Sequence, residues 1–207
     1  MPVRLLLALT LSVNLTGCFG FLKPAKPTAR HFVLSAVPAA GSTAVPSGAV
    51  AIGVGPVKMA AYLFNTSMAV RKGSNEIDYL PATFWAERLD TGFQRVLAAN
   101  LATLLPTDQI RVSAWQNSDV SAEVYVAVEQ FDVDARGQAT IVAWWRILSP
   151  GGEKLLKAGE CRVARQGPAP DANPSGAVAT LSDLAAELSR QVAQAIKETM
   201  PASGGHH

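Results

Sequence analysis

"EVYVAVEQFDVDARGQATIVAWWRILSPGGEKLLKAGECRVAR", Glu123 to Arg165, is the stretch on which the fold depends. Three runs with the period of two of pleated strands are separated by Ala135-Arg136-Gly137 and by Ser149-Pro150-Gly151-Gly152, which predicts an antiparallel meander. In the middle run Ala139, Ile141, Ala143, Trp145 and Ile147 form one apolar face. Trp144 shares its side with Thr140 and Arg146 and must point the other way. In the first run Val124, Val126 and Val128 share a face, but Phe131 and Val133 have the opposite parity, so a β-bulge is expected near Glu129-Gln130. In the third, Cys161 has the parity of Leu155 and Val163 and reads as a small buried hydrophobe.

Working outward, "QGPAPDANPSGA" (Gln166 to Ala177) is a loop by composition. Beyond it Leu181, Leu184, Leu188, Val192 and Ile196 trace a helical stripe, with Thr180 and Asp183 spaced like a capping box. Upstream, Trp85, Leu89, Phe93, Val96, Leu97, Leu101 and Leu104 trace a second helix, bracketed by Pro81 and Pro106. "QIRVSAW" (Gln109 to Trp115) reads as a short strand. "SMAVRKGSNEIDYL" (Ser67 to Leu80) reads as a hairpin about Lys72-Gly73-Ser74-Asn75. "HFVLSAV" (His31 to Val37) and "AVAIGVGPV" (Ala49 to Val57) complete the strands. The expected fold class is α+β: an antiparallel sheet with a long-strand meander and two amphipathic helices packed on one face. One domain is expected over 31–199, with a disordered tail at 200–207.

The N-terminus has a different character. One cation, Arg4, precedes "LLLALTLSV" (Leu5 to Val13), an apolar run about half as long as a membrane-crossing helix. It reads as the core of a signal peptide over 1–17. Leu15-Thr16-Gly17-Cys18 then resembles the bacterial lipobox, which implies lipid attachment to the Cys18 thiol and cleavage before it. Residues 18–30 carry the lipidated Cys and a tether; "FGFLKPAKPTAR" (Phe19 to Arg30) spans at most roughly 40 Å. No Asp follows Cys18, and by analogy with enterobacterial sorting this points to the outer membrane.

Composition excludes several classes. Lys+Arg 18 against Asp+Glu 16 becomes 17 against 16 when Arg4 leaves with the signal, so the mature chain has no basic excess for nucleic acid. Cys161 is then the one cysteine besides Cys18, which rules out a disulfide within the folded part. The three histidines, His31, His206 and His207, lie beside the tether and in the tail, poor places for a triad or a metal site. The carboxylate pairs Asp132/Asp134 and Glu87/Asp90 read as hydrated surface. No cofactor and no metal are expected, and the chain is not read as an enzyme. What remains is apolar surface: Tyr62, Leu63 and Phe64 lie between strands, either as a binding surface or as a cap on the core.

Taken in order, "VGPVKMAAYL", "FWAERL", "SAW", "VAVEQFDVDARGQATIVAWWRILSPGG" and "LSDLAAELSRQVAQAI" resemble the PqiC-like auxiliary lipoproteins of MCE-type (mammalian-cell-entry) transport systems. The resemblance runs from Phe32 to about Ile196. Trp85, Glu87 and Leu89 match the family's helix start, Tyr62 and Leu63 its Tyr-Leu pair, and Phe131, Asp132, Gly137 and Trp145 its hairpin. Ala60, Ala61, Phe64, Asn65 and Phe84 depart from the family pattern, favouring an apolar contact over a polar one at that loop. The resemblance implies a lipoprotein of the outer membrane, facing the periplasm, that partners a membrane-tethered MCE-domain protein and its transporter in moving lipid or other hydrophobic molecules. Self-association is a further partner state. Tyr62, Leu63, Phe64 and Trp144 are the partner-binding candidates. An assembly or pilot lipoprotein for an outer-membrane β-barrel is the alternative.

Overall fold

The computed structural model describes residues 28–38, 50–105, 107, 109–112 and 114–200. The signal peptide, Cys18, all but the last three residues of the tether, Pro106, His206 and His207 lie outside the described residues.

The meander forms as three strands, β7 (Ala122–Asp134), β8 (Gln138–Leu148) and β9 (Leu155–Gln166). β7 and β8 pair from Val133↔Ala139 at the turn to Glu123↔Leu148 at the far end. Their register slips between Val128 and Gln130, which is the expected bulge. The extra residue returns Phe131 and Val133 to the buried face of Val124, Val126 and Val128. A second slip, between Ile147↔Lys157 and Leu148↔Leu155, changes the phase at the start of β9. Cys161 is buried as expected, but Leu155 does not share its side and is 56% exposed.

The remaining strands make the sheet mixed instead of purely antiparallel. β2 (Ile52–Val54), β3 (Lys58–Met59) and β4 (Ser67–Gly73) all run parallel to β7. They climb one edge of it in three steps, at Ala122, Ala127 and Val133. β4 makes the expected hairpin with β5 (Glu76–Trp85), while β1 (Arg30–Phe32) and β6 (Ile110–Val112) add in parallel to β5 and β2.

The first helix, α1, covers Leu89–Leu104, not the span from Pro81. Pro81 and Trp85 belong to β5, because β1 pairs with Thr83–Trp85 and the Trp85 amide donates to the Thr66 carbonyl. Register against β4 jumps from Ala69↔Tyr79 to Ser67↔Phe84, so Pro81 sits in a bulged-out stretch where a missing N–H costs nothing. The second helix, α2, starts at Pro174, earlier than expected. Asn173 is its N-cap, accepting the Gly176 amide at 3.0 Å. Thr180 lies inside the helix and donates to the Gly176 carbonyl, so the Thr180/Asp183 capping box does not form. Pro at N1 is already set to the helical φ, which a reading of prolines as loop residues overlooks.

α1 and α2 lie against each other, joined inside the core by Asn100 Nδ2 donating to Ser189 Oγ at 3.0 Å. The expected strand His31–Val37 is shorter than read. Past Phe32 the chain leaves the sheet, and its amides are met by side chains: Ser35 by Ser182 and Val37 by Asn100. One continuous apolar cluster joins both helices to the inner face of β7, β8 and β9.

Candidate functional site

The turn Ala61–Phe64 follows β3 and separates the three candidate residues. Leu63 enters the core at 3% exposure, whereas Phe64 stands out at 49%. The agent is Tyr62, whose hydroxyl donates to Asp132 Oδ2 at 2.7 Å. Asp132 also accepts from Arg71, Nη2 to Oδ2 at 2.6 Å and Nε to Oδ1 at 3.1 Å, and from Gln130 Nε2 at 2.9 Å. Tyr79 completes the clasp by donating its hydroxyl to the Tyr62 carbonyl at 3.0 Å. Burial and then the Asp132 carboxylate push the Tyr62 phenol well above its usual range, so it acts here as a donor. The same carboxylate raises the Arg71 guanidinium.

Asp132 therefore corrects the sequence reading. It is 2% exposed, not hydrated surface, while Asp134 spends its carboxylate on the Arg136 and Gln138 amides of its own turn. Little in β7 alone marks Asp132, because apart from Gln130 its partners come from residues 62 and 71.

Phe64 overhangs a groove of about 270 Å³ bounded by Asn65, Thr66, Trp85, Ala86, Glu87, Arg88 and Leu89. The Arg88 guanidinium lies 5.4 Å from the Phe64 ring centroid and is steadied by Asp90 at 2.8 Å. Arg88 in turn holds the Asp90 carboxyl below the usual range. Glu87 binds Arg95 at 2.6 Å. Glu87 and Asp90 thus serve two different arginines and do not form an acid/base pair. The fold brings the matched residues Trp85, Glu87 and Leu89 to the same groove as the Tyr62-Leu63 turn, a meeting that spacing alone does not reveal.

Trp144 is not part of this groove. It lies on the outer face of β8, 47% exposed, beside Pro56, Lys58, Tyr125 and Arg146. Trp145 is buried on the opposite side, where its indole packs over Gly159; among the described residues its N–H has no hydrogen-bond partner. Glu123 went unread in the sequence and is also buried, accepting from Trp115 Nε1 at 3.2 Å, Tyr125 Oη at 3.1 Å and the Gly151 amide at 2.9 Å. It pins the start of β7 to the turn after β8.

Among the described residues no three His, Cys, Asp or Glu side chains come together to hold a metal ion. No helix among them is long and apolar enough to cross a membrane. Burial pushes the Cys161 thiol up to about 11, which keeps it protonated at neutral pH.

Residues 32–193 match the family described as the ABC-type transport auxiliary lipoprotein component. Two crystal structures have a similar fold. One, described only as an uncharacterized protein, is 19% identical with a TM-score of 0.67, covering 82% of this chain and 99% of that one. The other, from Xanthomonas campestris, is 13% identical with a TM-score of 0.68, covering 83% and 96%. No curated protein matches the chain.

Proposed function

The chain belongs to the ABC-type transport auxiliary lipoprotein component family, and from that membership we propose a lipid-anchored, non-catalytic holding subunit of an MCE-type transport system. Cys18 carries the lipid, residues 18–30 tether the single domain 31–199, and the protein hangs from the outer membrane into the periplasm. There it binds a membrane-tethered MCE-domain protein and so supports the passage of lipid or another hydrophobic molecule between the membranes. The observation that carries this reading is the groove itself. An exposed aromatic, Phe64, is held over a cleft by a hydrogen-bonded clasp of Tyr62, Asp132, Arg71 and Tyr79, the form of a partner contact prepared in advance.

Two experiments test it. In fractionated cells, Cys18→Ala is expected to remain as precursor in the inner membrane or to appear unlipidated in the periplasm, as read by N-terminal mass spectrometry. A mature, outer-membrane Cys18→Ala protein would remove the anchor from the proposal. In the full-length lipidated chain, Phe64→Asp is expected to keep the thermal unfolding midpoint and to lose co-purification of the MCE protein or self-association. Recovery of a β-barrel in place of an MCE protein would favour the pilot lipoprotein instead.

A further inference from the structure

The outer face of the meander carries a feature that the Phe64 groove does not use. The helices cover the side of the sheet that holds Ala143 and Trp145, and leave Trp144 outward. In register beside it lie Ala127 of β7 and Glu160 of β9, and Lys58 of β3 pairs with that same Ala127. Arg146 faces Tyr125 two pairs along, on the same side of the sheet. Lys58, Tyr125, Ala127, Trp144 and Arg146, with Pro56, shape a depression of about 80 Å³.

The exposed charges here are unbalanced, since Glu123 on the same side of β7 is buried. Arg162 on β9 is engaged by Glu160 at 2.6 Å, as Arg71 is by Asp132. Among the described residues the Lys58 and Arg146 side chains form no ion pair and no hydrogen bond, and they flank an exposed indole.

The surface is also stiff. Tyr125 is hydrogen-bonded to the buried Glu123, and its ring lies so close over Gly55 that an added Cβ would sit 2.4 Å from the ring. Little ordering is left for a partner to impose.

We propose that this face docks an acidic segment of a protein partner, with an apolar side chain packed on Trp144 and carboxylates set against Lys58 and Arg146. The inference rests on the reading of the chain as a holding subunit and adds a surface and a chemistry to it. Charge complementarity argues for an acidic occupant, and an indole flanked by cations is the composition of an interface hot spot. A bilayer is the poorer occupant. Two cations fall short of the roughly four to eight that bind a segment to anionic headgroups.

The test replaces Trp144 by p-benzoylphenylalanine in the full-length lipidated chain, expressed in its own host and irradiated, with a parallel Phe64 replacement. The expected product is an adduct with another protein whose crosslinked peptide carries Asp or Glu beside the attachment point. Its yield should fall about tenfold when Lys58→Glu and Arg146→Glu are combined. Lys58→Gln with Arg146→Gln supplies the same comparison should the reversal impair folding, and an unchanged unfolding midpoint certifies either pair. Adducts with lipid, adducts only with a second copy, no adduct, or an adduct indifferent to both pairs would each overturn the proposal. A protein adduct from Phe64 alone overturns this surface and leaves the holding role standing. Silence at both positions removes both.

Discussion

Asp132 shows how a single buried carboxylate can organise a loop. Its five hydrogen bonds to Tyr62, Arg71 and Gln130 leave Asn a poor substitute. Asp132→Asn is expected to cost about 2 kcal/mol, less than for a fully buried ion pair because the Arg71 side chain is 26% exposed. Urea denaturation measures this, and a change within experimental error would show that the clasp contributes nothing to stability. Cys161 has a pH signature. Its thiol, pushed up to about 11 by burial and then by the Glu187 carboxylate, stays protonated in the fold while an unfolded chain ionises it near pH ~8.5. A raised folded value means that the stabilisation is fully present below the unfolded value and is lost as pH climbs towards 11. Cys161→Ala should therefore flatten the decline of stability across that alkaline window, and the native thiol should resist alkylation until the domain unfolds. Fast labelling of the folded protein would contradict its burial.

Among the elements, α2 and the turn Ala61–Phe64 separate what periodicity reveals from what capping decides. The stripe of α2 is readable because Leu181, Leu184, Leu188, Val192 and Ile196 repeat at helical spacing and all are buried. Its start is not, because the Asn173 cap lies within a run of Pro, Gly and Ala. Asn173→Ala should cost about 1 kcal/mol, and Asp183→Ala, exposed and uninvolved in capping, close to nothing. The reverse order in thermal melts would restore the later start. In the turn, Leu63→Asp buries a charge in the core and should unfold the domain or cost about 3 kcal/mol or more. Phe64→Asp should leave circular dichroism and the melting midpoint intact. Equal damage from both would mean that Phe64 is also packed inside.

For the whole molecule, one apolar cluster spans the sheet and both helices, so residues 28–200 are expected to unfold in a single transition. With Cys161 as the free cysteine of the described residues, that transition should be indifferent to reductant. Two transitions in calorimetry, or a shift with dithiothreitol, would refute the single core. The meander with its bulge, the helical stripes and the outward Trp144 could be read from sequence alone. Each is a local pattern, a period of two or 3.6 or a short motif, carried by residues near one another in the chain. Tertiary structure alone decided that β2, β3 and β4 stack in parallel on β7, that Pro81 to Trp85 belong to a strand, and that Asp132 is buried beneath Tyr62 and Arg71. It also decided that Leu63 and Phe64 part company and that Lys58 meets Arg146 around Trp144. These depend on partners tens of residues away, and a backbone donor, a carboxylate or an aromatic ring has no preference of its own until packing brings that partner within a few ångströms.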